Sequence, residues 1–228
     1  DVVMQGSSNG DIYAALQSLP GTQRVGESGR LYVRGGESSE SQTYINGMHV
    51  LNPYATNAGN SPVRGRFSPF LFKGISFSLG GYSGEYGQAL SSVLPMETTD
   101  VATGDKLGFS VAPIELNFGG TKAFRSSSWS FNSLYDDMGL YNAVFPSSVS
   151  WKRPYRRLSG ETQYKAELSP SNVLKTYVGY DLTNVGQHLA ERDLSLREHN
   201  IYINTVYKAA LSRGCSVFAG AANSLVFN

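Results

Sequence analysis

The chain has 228 residues, a formal net charge of +1 and only 16% charged residues, so it carries no polybasic footprint for nucleic acid. Its single cysteine, Cys215, excludes an internal disulfide framework. No run approaches the about 20 apolar residues of a membrane helix, yet a mean hydropathy of −0.24 does not exclude a membrane β-barrel, whose alternating strands average to neutrality.

The first hundred residues read as a small α+β domain. Asp11-Ile-Tyr-Ala-Ala-Leu-Gln-Ser-Leu19 places apolar residues at 12, 15, 16 and 19, the helix spacing, with Asn9 or Asp11 as N-cap and Pro20 as the stop. Beyond it, turns at Pro20-Gly21, Gly35-Gly36, Asn46-Gly47, Pro53 and Gly80-Gly81 separate short apolar runs. The opening Asp1-Val-Val-Met4 is no signal peptide and reads as the middle of a longer protein.

After residue 100 the pattern changes to alternation. In Leu158–Leu168 the even positions are Leu, Gly, Thr, Tyr, Ala, Leu and the odd ones Ser, Glu, Gln, Lys, Glu. The same dyad runs through Leu174, Thr176, Val178, Tyr180 and Leu182, and through Ile201, Ile203, Thr205, Tyr207, Ala209 and Leu211. Strands of roughly ten or more residues match a tilted membrane crossing; soluble strands average about 5–6.

Connection lengths point the same way. Ser169-Pro-Ser171 and Ser212-Arg-Gly214 are tight turns, while 136–156 and 186–197 are long connections. Short turns on one side and long loops on the other are the plan of an outer-membrane barrel. If the first strand runs outward, an odd number of strands must precede the loop at 136. A single strand over Lys106–Phe118 breaks that parity, and a break at Ala112-Pro113 restores it, because proline cannot donate to a ladder. The sequence therefore predicts a short outer turn near Pro113 and a short inner turn around Lys122–Arg125.

The ordered motifs of the first domain resemble the plug of TonB-dependent outer-membrane receptors, particularly the Bacteroidetes type. They are Val33-Arg34-Gly35, Tyr44-Ile45-Asn46-Gly47, Gly80-Gly81, Tyr86-Gly87 and Ser92-Val-Leu-Pro-Met-Glu97. The chain departs from the family pattern at Leu79, where Arg is common, at Ser91-Ser92, where Gly-Gly is common, and at Pro95, inside an otherwise uninterrupted strand. The resemblance implies a plug over 1–100 and, over 101–228, the first antiparallel strands of a transmembrane β-barrel of about 22 strands. About seven strands are present, and an open edge has no backbone partners in lipid, so the chain reads as a fragment of a larger receptor in the bacterial outer membrane.

The same resemblance implies the site and the partners. A receptor of this family actively imports a scarce ligand such as a siderophore, cobalamin, glycan or peptide, with the plug as gate. Energy comes from TonB acting on a segment upstream of Asp1, and the remaining partners are the rest of the barrel, outer-membrane lipid and a surface lipoprotein. Arg34 is expected to pin plug to barrel wall through carboxylates, with Glu85 and Glu97 as candidate partners, against the alternative of a salt bridge inside the plug. Glu37-Ser38-Ser39-Glu40 and Asn52–Asn57 align with substrate-touching apex loops, and Tyr54 and Asn57 are the candidate ligand contacts there. The competing reading is that this loop only packs plug against barrel. Arg64 and Arg66 are candidates for an anionic ligand or for carboxylates of the lumen.

Trp129, Phe131 and Tyr135, with Trp151 and Tyr155, suit an aromatic girdle. His49, His188 and His199 have no ligand spacing, so no metal and no cofactor are expected. No nucleophile elbow or supported acid–base pair points to an enzyme. Two rival readings stand beside transport: a soluble β-rich surface binding or adhesion module, and a signal-transducing receptor of the same family.

Overall fold

In the computed structural model, which describes residues 10–25, 29–56, 65–145, 149–189, 192–211 and 214–228, the chain builds a four-stranded and a seven-stranded sheet of opposite character beside a two-stranded pair. Asp11 caps a short helix, α1 (Ile12–Leu16), accepting at Oδ1 from the amides of Tyr13 at 2.8 Å and Ala14 at 3.3 Å. The helix ends three residues short of Leu19. Ser18 and Leu19 instead donate to the carbonyls three residues back, the tightening expected ahead of Pro20. A two-residue pair, β1 (Thr22–Gln23) with β2 (Tyr32–Val33), follows.

The small sheet has the order β4-β3-β6-β5, from β3 (Ser41–Ile45), β4 (Met48–Val50), β5 (Phe72–Ile75) and β6 (Ser92–Thr98), with β3 and β6 parallel. Strand β6 continues unbroken through Pro95. The glycine motifs have a backbone cause. Asn46 (φ +53°) and Gly47 (φ +84°) close the two-residue loop joining Ile45 to Met48, and Arg34 (φ +50°) with Gly35 (φ +81°) closes the bridge between Val33 and Gly36. Two consecutive left-handed residues are what such a tight hairpin needs, and Asn-Gly adopts them with least strain.

The large sheet is an antiparallel meander of seven strands in sequence order: β7 (Lys106–Ala112), β8 (Glu115–Ala123), β9 (Ser127–Asp137), β10 (Trp151–Ser169), β11 (Asn172–His188), β12 (Asp193–Ala210) and β13 (Ser216–Phe227). The break expected near Pro113 is there: Ala112 pairs with Glu115, leaving Pro113-Ile114 as the turn. The next turn lies at 124–126, one to two residues later than expected, closed by Phe124 N to Ser127 O at 2.8 Å. The first long connection holds a short helix, α2 (Gly139–Val144).

Two expectations need correction. Strand β10 starts at Trp151 rather than near Arg156, and the second long connection shrinks to 189–192 because Gln187 and His188 still pair with Leu194 and Asp193. Beyond the apolar zone the ladder persists without apolar alternation, so the sequence signal stops before the strand does.

Burial on the large sheet is inverted relative to a soluble protein. On β10, Ser159, Glu161, Gln163 and Lys165 are buried, while Leu158, Tyr164 and Leu168 are exposed. On the outer face Leu107, Phe109, Val111, Leu116, Phe118, Trp129 and Tyr135 are also exposed. At about 1.5–3 kcal/mol for each large side chain, keeping these seven in water forfeits roughly 10–20 kcal/mol, as much as a whole domain's stability. The face belongs in hydrocarbon. Tyr155 is not part of the girdle, since it sits beside Arg157, Asp181 and Thr183 on the inner side.

Candidate functional site

The inner, polar face of the large sheet is covered by the small domain, and the contact is organised in rows. The register aligns Arg157, Thr183 and Glu198 across β10, β11 and β12; then Ser159, Asp181 and Asn200; then Glu161, Gly179 and Tyr202; then Gln163, Tyr177 and Asn204; then Lys165, Lys175 and Val206. Each step of two residues moves about 7 Å along a strand and returns to the same face.

Two segments of the small domain are fastened to these rows in order. Rising toward the long connections, Ile45 O accepts from Asn204 Nδ2 at 3.1 Å, and Met48 O and His49 O from Tyr202 Oη at 3.4 Å each. Asn52 Nδ2 then donates to Asn200 Oδ1 at 3.4 Å, and Thr56 Oγ1 donates to Glu198. On the return, Arg157 Nη2 donates to Gly65 O at 3.2 Å and Arg66 O at 3.3 Å, and Ser68 N donates to Glu161 Oε1 at 2.6 Å. Gln163 then donates to Thr99, and Lys165 to Asp100. The two arms thus reach the same row, Thr56 on Glu198 and Gly65 on Arg157.

Apolar contact reinforces the middle rows. Tyr177 and Tyr202, both fully buried, enter the small domain's core against Phe67 and Phe72, with ring centroids 5.7–6.1 Å apart.

Ion pairs lie at both ends, within the large sheet at the loop end and between the small domain and the large sheet at the turn end. At the loop end Arg157 pairs with Asp181, both essentially buried, and Thr183 Oγ1 adds a bond to Asp181 at 3.2 Å. At the turn end Glu97 reaches Lys175 Nζ at 2.7 Å and Lys208 Nζ at 3.5 Å. Burial works to raise the Glu97 carboxyl, but the bond from Lys175 and the two lysine charges outweigh it and hold it below its usual range. Asp100 is held down to about 2 by its bonds from Lys165 and Lys73, the latter at 2.9 Å.

The residues singled out from sequence fall in three places. Glu97 lies at the contact, paired with wall lysines rather than with Arg34. Arg34 and Glu85 are exposed and have no ion-pair partner among the described residues; Arg34 lies against Gly80. Glu37–Glu40 forms a single 3-10 turn (Ser38–Glu40) held by the amides of Leu90 and Ser91 on the Glu40 carbonyl, with no hydrogen bond to the large sheet among the described residues.

Tyr54, expected at an exposed apex, is buried. Its hydroxyl accepts from Leu31 N at 3.1 Å, its ring lies 4.6 Å from that of Tyr13, and burial pushes its pKa to about 12. Its ring packs the small domain and presents no free face. Asn57 and Arg64 lie outside the described residues. Arg66 is 4% exposed, donates to Asn52 O at 2.7 Å and feels the charges of Asp181 and Glu198.

Sequence reading missed Arg157–Asp181, Lys165, Lys175 and Asp100. Lys165, Lys175 and Asp181 lie on the odd, polar register of their alternating segments, visible as a face but not as a buried one.

The family model for the TonB-dependent receptor plug domain matches residues 3–93. A search of curated proteins finds no match. Among solved structures, a variant of the ferric enterobactin receptor PfeA of Pseudomonas aeruginosa is similar over 95% of this chain and 38% of that one, at 12% identity and a TM-score of 0.65. The siderophore receptor PirA of Acinetobacter baumannii gives 12% identity and 0.66 over 95% and 37%. The copper transporter OprC gives 14% and 0.65 over 93% and 34%.

The chain thus spans a little over a third of the length of these receptors. At these identities the likeness establishes the fold, and none of the matches supports the narrower Bacteroidetes assignment. The small domain, matched over residues 3–93, is thus a TonB-dependent receptor plug domain, and the seven-stranded sheet, polar inside and apolar outside, has the fold of the barrel strands that adjoin it in the solved receptors.

Proposed function

We propose that this chain forms the gate and part of the wall of an active transporter that carries a scarce ligand across the outer membrane. The carrying observation is the row-by-row polar fastening of the plug to a wall whose other face is apolar. Such a contact holds one pose through many bonds, each worth a net about 0.5–1.5 kcal/mol, and can be released bond by bond. An apolar plug–wall seam would resist sliding as one block.

On this reading the ligand arrives at the long-connection end, above the arms 48–56 and 65–68. The Glu37–Glu40 turn and the segment at Asn57 contact it, while Tyr54 supports the apex from beneath. Arg34 and Glu85, exposed on this chain, meet the remaining barrel wall. TonB, engaging a segment upstream, supplies the work that rearranges the plug. Because the structural relatives carry the names of siderophore receptors and a copper transporter, a ferric siderophore is the proposed ligand and copper the second choice. Nothing in the comparisons supports a surface lipoprotein partner. A soluble adhesion module is disfavoured by the apolar outer face.

The test is iron uptake by cells carrying the full-length receptor as their sole siderophore receptor. Labelled iron presented as a panel of ferric siderophores should accumulate only when TonB is present. Accumulation that persists without TonB would contradict the proposal.

A further inference from the structure

Just beyond the apolar band, the outer face of the wall turns basic. The row after Tyr135, Leu158 and Leu182 contains Asp137, Arg156, Asn184 and Arg197, all pointing away from the plug because their neighbours Asp136, Arg157, Thr183 and Glu198 point inward. One step further, Arg153 pairs with Gly186, and a β-carbon built on that glycine would lie 3.4 Å from those of Arg153 and Lys152. The missing side chain lets the Lys152-Arg153 backbone approach β11 closely, since a β-carbon there would also lie 3.2 Å from the Arg153 amide nitrogen.

The acids of this patch are already engaged. Asp137 takes Arg156 at 3.0 Å, the Tyr135 hydroxyl at 3.0 Å and the Gly139 amide at 2.7 Å. Asp193 takes Lys152 at 2.9 Å and His188 at 2.8 Å. Arg153 and Arg197 are exposed and have no carboxylate within ion-pair distance among the described residues. Among the described residues Lys152, Arg153, Arg156 and Arg197 therefore face the carboxylates of Asp137 and Asp193.

The height of the patch selects its ligand. From Leu168, at the short-turn end of β10, to Arg156 is twelve residues. At about 3.3 Å per residue and a tilt near 40°, that is roughly 30 Å along the membrane normal, the thickness of the hydrocarbon core. The guanidinium groups thus stand at the level of lipid phosphates, beside an apolar surface fit for acyl chains. Guanidinium groups bind phosphate through paired charge-assisted bonds.

We infer that Arg153, Arg197 and Arg156 form a binding site for the phosphate of an anionic lipid in the leaflet at the long-connection end. The ligand is a membrane lipid rather than free phosphate, because the site opens sideways onto the apolar band. This rests on reading the long connections as the outward side, where phosphorylated lipid A would be the occupant. The site would fix the depth and tilt of the wall in the membrane and is separate from the transported ligand.

The test uses full-length receptor purified in detergent and titrated with bis-phosphorylated lipid A or its dephosphorylated form, with binding read by native mass spectrometry. The double variant R153Q/R197Q breaks no ion pair seen in this structure. At the energy typical of one basic side chain near an anionic surface, it should weaken binding of the phosphorylated lipid on the order of tenfold or more. Dephosphorylated lipid should bind wild type and variant equally weakly. R125Q, at the opposite end of the wall, should leave binding unchanged. Equal lipid binding by wild type and R153Q/R197Q overturns the inference, as does an equal loss in R125Q. Heat-modifiable mobility verifies that each variant is a folded barrel, and TonB-dependent uptake is scored separately, so a failed lipid site and a failed transport reading give different results.

Discussion

Replacing Arg157 with alanine removes both a wall side chain that holds the plug's Gly65 and Arg66 carbonyls and the charge that neutralises Asp181 on the neighbouring strand. Its partner Asp181 is 1% exposed, and Arg157 itself only 4%, so solvent cannot compensate the carboxylate left behind. Among the described residues Thr183 Oγ1 keeps its hydrogen bond to Asp181, with the Arg66 charge nearby. Removing one member of a buried pair costs about 3–5 kcal/mol, and the lost donations to the Gly65 and Arg66 carbonyls fall within the same contact. If that cost is felt locally, the descending arm opens on the order of a hundredfold more often or greater. The assay is amide hydrogen exchange on the full-length receptor. The Arg66 amide, bonded to Pro53 O at 3.0 Å, and the Ser68 amide, bonded to Glu161, should exchange faster by that factor, while amides of β13 keep their protection. The double variant Arg157→Met, Asp181→Leu should recover most of the protection, because an apolar pair of similar size removes the buried charge altogether. Unchanged exchange in the single variant, or a double variant as labile as the single, would refute the reasoning.

Three further outcomes follow from the same contacts. The Glu97 and Asp100 carboxyls are both depressed in the folded protein, so their stabilising pairs are fully present above the ordinary carboxylate pKa near 4. They are lost as the pH falls through the folded values, about 2 for Asp100. Exchange of the β6 amides should therefore be flat from pH 5 to 8 after correction for intrinsic rates, then rise below about pH 4. Asp11→Ala removes the α1 cap and the carboxylate that accepts the Gly65 amide at 3.0 Å. It should destabilise the plug by about 1–3 kcal/mol in chemical denaturation. Tyr54→Phe leaves the Leu31 amide without its acceptor and should cost about 1–3 kcal/mol of plug stability. Tyr54→Ala should cost about 3–5 kcal/mol, and ligand affinity of the folded Tyr54→Phe receptor should match wild type.

Much of this architecture is legible in the residues themselves. Proline at 113 cannot donate to a ladder, and parity of strand direction demands a turn there, so a chemical rule and a topological one converge on Ala112↔Glu115. Asn46-Gly47 announces its hairpin because few other pairs tolerate two left-handed residues. The limits are equally physical. The apolar dyad marks only the stretch of strand in hydrocarbon, so the outward ends at Trp151 and His188 escape it. Tyr54 follows Asn52-Pro53 in a polar loop, and nothing local shows that Tyr13 and Leu31 close over it. The plug–wall fastening pairs residues up to 159 positions apart, such as Ile45 with Asn204. The expected polarity, arginine on the plug and carboxylate on the wall, is reversed at the turn end, where Glu97 and Asp100 meet Lys175 and Lys165. A polar register shows that a face can make such contacts; only the folded register selects the partner.

If the plug leaves the wall as ligand passes, a reversible tether between the two must stop transport. Thr56 and Glu198 face each other at the loop end of the rising arm. With both changed to cysteine, and the exposed Cys215 changed to serine, a short reducible thiol crosslinker can join them in the full-length receptor. TonB-dependent uptake of labelled ligand should stop when the bridge forms and return when it is reduced. Undiminished uptake through the bridged receptor would contradict a moving gate.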